Sequence, residues 1–223
     1  TASRCARCGT ALSSHELGQP DVYRDIVDPS VYVRFPIVDR DVDLLVWTTT
    51  PWTLVSNVAA AVGPDIDYVR TASTDGSRDL LMAAALAPEN AIIVEQFKGA
   101  DLVGWRYERL FDTLAAPAGA DGWRVVAADF VTTDDGSGIV HLAPAFGEDD
   151  AVVGRAEKLP VLNPVNADAA FDESVPFLTG TFVKDADRYI IDDLDARGLL
   201  VREQAYEHSY PHCWRCSTPL IYW

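Results

Sequence analysis

The sequence predicts a mixed α/β fold rich in β-strands, a compact barrel of mixed strands with a few helices at its periphery. Short apolar runs recur along the chain, turn-forming Gly, Pro and Asp residues separate many of them, and few segments look helical. The chain has 223 residues, of which 48% are hydrophobic, so it is long enough to bury a sizeable core.

The first half of the chain contains two predicted pairs of strands. Residues 31–38 and 43–47 are typical of a hairpin joined by an Asp/Arg turn. Residues 59–64 and 67–72 are predicted to pair with each other around a Gly-Pro turn. Residues 80–86 fit either a helix or a strand, because the alanines favour a helix and the short apolar run permits a strand.

The second half adds further strands and two helices. Acidic residues at the start and basic residues toward the end of one segment favour a helix, as the helix dipole requires. An Asp-Asp-Gly turn separates two of the strands. The predicted elements are a strand at 91–97, turn and strand at 99–110, strands at 123–131 and 138–142, and helices at 149–159 and 185–199.

The chain is strongly acidic, with 34 acidic and 18 basic residues and a net charge of -16. Protein contacts to phosphate come mainly from Lys and Arg, so this composition argues against a free-standing nucleic-acid-binding domain. No apolar run approaches the ~20 residues that a membrane-spanning helix needs, and the N-terminus lacks the pattern of a signal peptide. We therefore expect a cytoplasmic protein with no membrane partner.

All four cysteines lie in two Cys-x-x-Cys pairs, Cys5/Cys8 and Cys213/Cys216, at opposite ends of the sequence. Two such turns supply four thiolates for a tetrahedral structural zinc site. A complete four-thiolate shell leaves no open position for water or substrate, so the zinc would join the termini and would not catalyse.

From this zinc site we expect a base that contains both termini. The predicted division is 1–25 and 205–223 for the zinc-binding base, with residues 26–204 as the main domain. Two redox-active pairs, or four unrelated buried thiols, are the alternative interpretations of the cysteines. His208 and His212 are possible substitute ligands.

Residues 47–54, Trp-Thr-Thr-Thr-Pro-Trp-Thr-Leu, place three consecutive hydroxyls between two indoles. An ordinary strand alternates apolar and polar residues, whereas this one concentrates small hydrogen-bonding groups at its end. Pro51 removes a backbone donor, so the strand ends there or lies at an edge, and Thr48 and Thr50 project from the face opposite Thr49. A single threonine is an ordinary β-former, but three in a row indicate a site.

Residues 136–150 contain a predicted strand that ends near His141, then a Pro/Gly turn and an acidic helix start. A lone histidine on an apolar strand is more often a hydrogen-bonded core residue than a catalyst. Asp150 by itself would be an ordinary first-turn acid. Ser137 and His141 lie four residues apart on one strand without a nucleophile-elbow motif, so no nucleophilic triad is evident.

Together these two segments resemble the editing domain of isoleucyl-tRNA synthetases, the insertion that hydrolyses mischarged valyl-tRNA. Leucyl and valyl relatives usually have Thr-Thr-Arg-Pro followed by an acid and then Thr, whereas this chain has Thr50 and Trp52 at the two differing positions. The isoleucyl type is therefore favoured over a valyl or leucyl type. The cysteine pairs resemble the zinc-binding borders of that insertion. Because the aminoacylation signatures His-Ile-Gly-His and Lys-Met-Ser-Lys-Ser are absent, we expect an editing module and not a whole synthetase.

The resemblance implies roles for residues of both segments. Asp150, nine positions after His141, would hold the substrate α-ammonium, while His141 would reject isoleucine by size and hydrogen bonding. The threonine run would contact the terminal adenosine and orient the water. The implied catalytic residues are Thr48, Thr49, Thr50, His141 and Asp150. The implied substrate-binding residues are Trp52, Thr53 and Asn57, of which Asn57 fits a turn residue nearly as well.

The implied function is hydrolysis of valyl-tRNA(Ile) after transfer, with valyl-adenylate as a further possible substrate, and without a covalent intermediate or catalytic metal. The implied partners are the acceptor end of tRNA(Ile) charged with valine and the remainder of the synthetase, and we expect a monomer. Two functions of other classes stay open. One is a non-catalytic, zinc-stabilised module that contacts tRNA, and the other is a generic esterase.

Overall fold

A computed structural model describes residues 2–222 of the protein. The strands are β1 (Ser3–Cys5), β2 (Thr10–Ala11), β3 (Tyr23–Pro36), β4 (Val42–Thr48), β5 (Ala59–Val62), β6 (Asp67–Thr71), β7 (Asp79–Ala83), β8 (Ile93–Lys98), β9 (Arg124–Ala127), β10 (Ile139–Leu142), β11 (Leu200–Pro211) and β12 (Ile221–Tyr222). The helices are α1 (Ser14–Leu17), α2 (Gly99–Leu102), α3 (Glu148–Ala156) and α4 (Val183–Ala196), with 3-10 turns at Pro51–Ser56 and Ala84–Leu86.

The larger sheet is mixed and curls into a half-barrel, with the strand order β8-β6-β7-β4-β10-β5-β9. Strand β4 is its central member. One edge of β4 pairs with β3 in the antiparallel sense. The other edge pairs in parallel with β7 at its beginning and with β10 at its end, where Trp47 lies opposite Val140. This shared edge brings the ends of β4 and β10 together.

A long antiparallel ribbon of β3 and β11 connects the half-barrel to a second sheet. The ribbon pairs Val33 with Leu200 at one end and Tyr23 with Pro211 at the other. The second sheet has the order β12-β1-β2 and packs a small core around the cysteines. The division into a base of residues 1–25 and 205–223 and a domain of residues 26–204 stays a prediction.

Helix α4 closes the main core. It buries residues three and four positions apart on one face, which is the pattern of an amphipathic helix. Asp187 is the polar member of that buried face. In the described range 2–222, no helix has the length and apolar character that crossing a bilayer requires. The buried residues of α4 are Val183, Ala186, Asp187, Ile190, Ile191 and Leu194.

The β-rich mixed fold with peripheral helices is confirmed, as is the hairpin of β3 and β4. The predicted pairing of residues 59–64 with 67–72 is wrong. Both segments contain strands, but β5 pairs with β10 and β9, while β6 pairs with β7 and β8. Since both edges of β5 are already occupied, no edge remains for β6.

Smaller differences concern the lengths of elements. Residues 80–86 form the end of β7 followed by a 3-10 turn. Residues 99–110, predicted as turn and strand, begin with the short helix α2, because the Asp101 carboxylate accepts the Lys98 backbone N–H at 3.0 Å and caps its first turn. The long strand β11 has no counterpart in the sequence prediction, because none of its residues is fully buried and many are polar.

Candidate active site and metal centre

The ends of β4 and β10 and the start of α3 surround a cavity of about 270 Å³. Six of the eight predicted non-metal site residues line it, namely Thr48, Thr49, Thr50, Thr53, His141 and Asp150. Strand β4 ends at Thr48, so strict alternation stops there, and all three threonines of the run line the cavity.

The threonine hydroxyls form a hydrogen-bonded chain along one wall. The Thr50 backbone N–H donates to Thr48 Oγ1 at 3.1 Å, and the Thr50 and Thr53 hydroxyl oxygens lie 3.2 Å apart. The Thr53 hydroxyl donates to the Thr50 carbonyl oxygen at 2.8 Å. The hydroxyls of Thr48, Thr50 and Thr53 are therefore oriented by one another before any ligand enters.

The imidazole of His141 ends this chain, with its Nε2 3.0 Å from Thr53 Oγ1. Because the single Thr53 hydroxyl proton goes to the Thr50 carbonyl, the network assigns a proton to His141 Nε2 and leaves Nδ1 as an acceptor. Burial lowers the pKa of His141 to about 4. The ring is therefore neutral near pH 7, which suits a hydrogen-bonding wall better than a proton-transfer role.

Asp150 is on the first turn of α3, and its carboxylate points back to the end of β10. Its Oδ2 accepts the Ala143 backbone N–H at 2.7 Å. Burial raises the pKa of Asp150, while this hydrogen bond opposes the rise. A half-buried carboxylate that pairs with no Lys, Arg or His among residues 2–222 can accept a charged donor from a ligand.

Gly147 permits that position of Asp150. A Cβ added to Gly147 would lie 2.5 Å from Asp150 Cγ and 2.6 Å from Oδ1, closer than real Cβ atoms approach. The glycine φ of -120° is open to any residue, so the requirement comes from the close approach of the carboxylate. The Phe-Gly-Glu-Asp-Asp sequence thus places the acid against the turn.

Trp52 and Asn57, the other two predicted residues, do not line the cavity. The Trp52 ring is buried against Phe146, with ring centroids 4.8 Å apart, so it supports a wall residue from behind. The Asn57 amide donates to the Ala59 carbonyl and accepts from the Tyr107 hydroxyl at 2.7 Å. Both ends of the Asn57 side chain thus have partners away from the cavity.

Sequence reasoning missed several wall residues. Trp47 and Phe146 supply aromatic surface, and Val140, Ala143 and Gly147 complete the lining. The position of Phe146 in the Pro-Ala-Phe-Gly turn after His141 was an available signal. Among the described residues that line the cavity none is Lys or Arg, so Asp150 gives it acidic character.

The four cysteines meet in the small core beside the sheet of β12, β1 and β2, although more than two hundred residues separate the pairs. All four sulfurs lie within 4.8 Å of one another. The Cys8 and Cys216 sulfurs are 3.5 Å apart, and those of Cys8 and Cys213 are 4.0 Å apart. For Zn–S bonds of about 2.3 Å, tetrahedral geometry places sulfurs about 3.8 Å apart, so the cluster fits zinc.

The two cysteine turns are built alike. The Gly9 backbone N–H donates to the Cys5 carbonyl at 2.9 Å, and the Ser217 N–H donates to the Cys213 carbonyl at 2.8 Å. The predicted substitute ligands lie outside the cluster, since His208 contacts Asp28 and His212 contacts the Tyr210 carbonyl. With four thiolates as ligands, a bound metal would have no open position.

Comparison of the sequence with known proteins identifies its relatives. The isoleucine–tRNA ligase of Streptomyces coelicolor is 51% identical over 98% of this chain, and that of Thermobifida fusca is 50% identical over 98%. The corresponding ligase of Thermoplasma volcanium is 46% identical, also over 98%. The chain belongs to the isoleucine–tRNA ligase family. It spans 21% of the length of each of these ligases.

This membership confirms the isoleucyl type over the valyl and leucyl types that the sequence left open. The fold has a solved counterpart in GlLeuRS-CP1, with a TM-score of 0.62, 13% identity, and coverage of 78% of this chain and 99% of that chain. At this identity the likeness establishes the fold alone. No family model matches this chain.

Zinc in the cysteine cluster is testable by metal analysis. We expect about one zinc per chain, and a strong chelator should lower the melting temperature, because metal binding contributes to folding. Cys213→Ser should lower both the zinc content and the melting temperature. A metal-free protein with four free thiols and an unchanged melting temperature would contradict a structural zinc site in the cysteine cluster.

Gly147→Ala tests the close approach of Asp150. We expect the new methyl to displace the carboxylate, so that the Ala143 amide loses protection from hydrogen exchange and the protein is destabilised by about 1–3 kcal/mol. Gly18→Ala is the matched control, because a Cβ there meets no atom closer than 3.6 Å. Unchanged exchange at Ala143 in Gly147→Ala would refute the role of Gly147.

Proposed function

We propose that the protein is an editing module that hydrolyses the ester bond of valyl-tRNA(Ile). The observation that supports this most directly is the cavity in which Asp150, the threonine hydroxyls and a neutral His141 converge, in a chain of the isoleucine–tRNA ligase family. Hydrolysis of an aminoacyl ester needs an ammonium acceptor, hydrogen-bonding groups for the ribose and carbonyl, and an oriented water.

Asp150 is the proposed ammonium site. Its carboxylate faces a cavity without a lysine or arginine in its described lining, and its burial strengthens any charge pair that forms there. Binding the α-ammonium would restore the counter-charge that the folded protein lacks at this position. The amino-acid end of the substrate is thereby fixed next to the threonine wall.

The hydroxyls of Thr48, Thr49 and Thr50 are proposed to contact the terminal adenosine and to orient the attacking water. Hydrogen bonds that join the Thr48, Thr50 and Thr53 hydroxyls fix these three groups in position, so little reorganisation of them would be needed when the substrate binds. A zinc ion held by the four cysteines would take no part in this step, because four thiolates would fill its coordination shell and none of them lines the cavity. We propose direct attack of water without a covalent intermediate.

Selection of valine over isoleucine is proposed to be steric. One methylene in an apolar pocket is worth only about 1–3 kcal/mol, so a synthetic site alone discriminates poorly and a second site that excludes the larger side chain improves accuracy. The cavity, at about 270 Å³, lies just below the usual range for ligand sites of about 300–1,000 Å³. Its walls include Trp47, Phe146 and His141, which are buried or half-buried.

The proposed partners are the valine-charged acceptor end of tRNA(Ile) and the remainder of the synthetase. A net charge of -16 opposes binding of the tRNA body by this segment, so the rest of the ligase would hold the tRNA. Monomeric state and a cytoplasmic location complete the proposal. Four cysteines placed to share one zinc ion and not paired as disulfides fit a reducing compartment.

The generic esterase finds no geometric support. Ser137 is buried, its hydroxyl donates to the Ile139 carbonyl at 3.3 Å, and it lines a different cavity from His141. A non-catalytic tRNA-contacting module would bind the charged acceptor end without releasing valine. Incubation of the protein with valyl-tRNA(Ile) and with a minimal valyl-adenosine ester, measuring free valine, decides between hydrolysis and binding alone.

Asp150→Ala should lower deacylation of valyl-tRNA(Ile) by at least about 100-fold, since it removes the charged group that orients the substrate. In a full-length isoleucine–tRNA ligase that contains this segment, isoleucine activation should be unchanged. Asp149→Ala is the matched control, because Asp149 is adjacent but exposed, and should be near neutral. Near-normal deacylation by Asp150→Ala would remove Asp150 from the site.

His141→Ala should enlarge the cavity, so that isoleucyl-tRNA(Ile) becomes a substrate while valyl-tRNA(Ile) hydrolysis falls less. Thr50→Arg should instead fill the cavity and impair both reactions. The measurement is the ratio of deacylation rates for the two charged tRNAs. If His141→Ala loses valyl-tRNA(Ile) hydrolysis and never attacks isoleucyl-tRNA(Ile), His141 is catalytic and the steric role is wrong.

A further inference from the structure

Asp187 is a buried carboxylate that lies outside the site described above. It is on the core-facing side of α4 and only 4% exposed. Its Oδ1 accepts the backbone N–H of Trp52 at 2.8 Å, across 135 residues of sequence. This hydrogen bond joins α4 to the 3-10 turn that follows the threonine run.

That turn lacks a local cap. Thr50 is at its N-cap position and makes no side-chain capping bond, and Pro51 has no N–H. The Thr53 N–H already donates to the Thr50 carbonyl at 3.0 Å. Trp52 therefore has the free donor of the first turn, and the Asp187 carboxylate supplies the acceptor that a local Ser, Thr or Asp would normally provide.

Two contacts connect the capped turn to the cavity. The Trp52 ring packs against Phe146, a wall residue. The next residue, Thr53, donates to the Thr50 carbonyl and holds His141 Nε2 at 3.0 Å. The position of the Trp52 backbone thus fixes both an aromatic wall and the hydroxyl that orients the imidazole.

The charges around Asp187 do not pair with it directly. Lys184 pairs with Asp28, and Arg188 pairs with Asp192 and Glu203. Asp185, on the same helix, adds negative charge, and His208 contacts Asp28. Burial raises the pKa of Asp187 to about 7, with the Trp52 hydrogen bond opposing the rise. An apolar residue would fit this helix face better, so the hydrogen-bond acceptor is what distinguishes Asp187.

We infer that Asp187 is a positioning residue for the cavity, holding Trp52 and Thr53 in place through the Trp52 backbone. This inference rests on the proposed editing function for its catalytic consequence, but the hydrogen bond that it invokes can be tested without substrate. It predicts that an acceptor at position 187, and not a negative charge, is what the site requires. Asparagine keeps the acceptor, whereas alanine removes it.

The experiment compares Asp187→Ala, Asp187→Asn and the exposed control Asp185→Ala in the 223-residue protein. Three properties are measured: melting temperature, hydrogen exchange of the Trp52 amide, and kcat and KM for hydrolysis of valyl-tRNA(Ile). We expect Asp187→Ala to lose Trp52 protection and about tenfold to a hundredfold in kcat/KM, as a displaced wall would cause. Asp187→Asn should keep the protection and remain within about twofold of the unmodified protein, as should Asp185→Ala.

The outcomes separate the two proposals. If the unmodified protein releases no valine, the editing function fails, while Trp52 exchange still decides whether Asp187 holds the turn. If Asp187→Ala keeps Trp52 protection, or keeps full activity after losing it, the positioning role is overturned. Should Asp187→Ala fail to fold, Asp187→Asn decides, because loss of protection or activity in that folded variant would show that an acceptor is not sufficient.

Discussion

The parallel contact between β4 and β10 is the constraint on which the site depends. Trp47 lies opposite Val140, so the chain positions that follow them, Thr48 and His141, emerge at the same end of the sheet. Pro51 and the 3-10 turn then carry Thr53 back toward the imidazole, and the turn after β10 brings Asp150 to the lining of the same cavity. A shift of the register by one residue would reverse the faces and separate the hydroxyls from the ring.

Desolvation gives the cavity its chemical character. Burial lowers the pKa of His141 and raises that of Asp150, so each group is moved toward its neutral form. For Asp150 this means that the ionised form is less favourable in the folded protein than in water, so a cation that binds beside the carboxylate stabilises that form. For His141 it means a fixed, uncharged hydrogen-bonding surface. The proposed steric selection needs such a wall, because a charged and hydrated imidazole would attract water into the space meant for the amino-acid side chain of the substrate.

The sequence predicted local features well and distant partnerships less well. The paired cysteines, the threonine run and the acidic helix start were recognisable because each depends on residues that are close in sequence. The assignment of β6 as the partner of β5 failed, since a Gly-Pro turn indicates where a strand ends but not which edge is free. Asp187 was missed for a related reason. An acid on a helix has no local sign that it caps a turn 135 residues away.

The acidity of the chain and the position of its cysteine cluster both favour a separation of tRNA binding from amino-acid selection. A segment with a net charge of -16 repels the body of a tRNA, yet a cavity lined by a carboxylate and hydroxyls suits the cationic, sugar-bearing end of an aminoacyl ester. Affinity for the nucleic acid and selection of the amino acid are then separate tasks. The cysteine cluster brings Cys5 and Cys8 together with Cys213 and Cys216, and the β3/β11 ribbon extends from this part of the structure to the half-barrel. In the proposed editing reaction the remainder of the ligase would supply the affinity for tRNA, while this segment would contribute only the cavity that selects the amino acid.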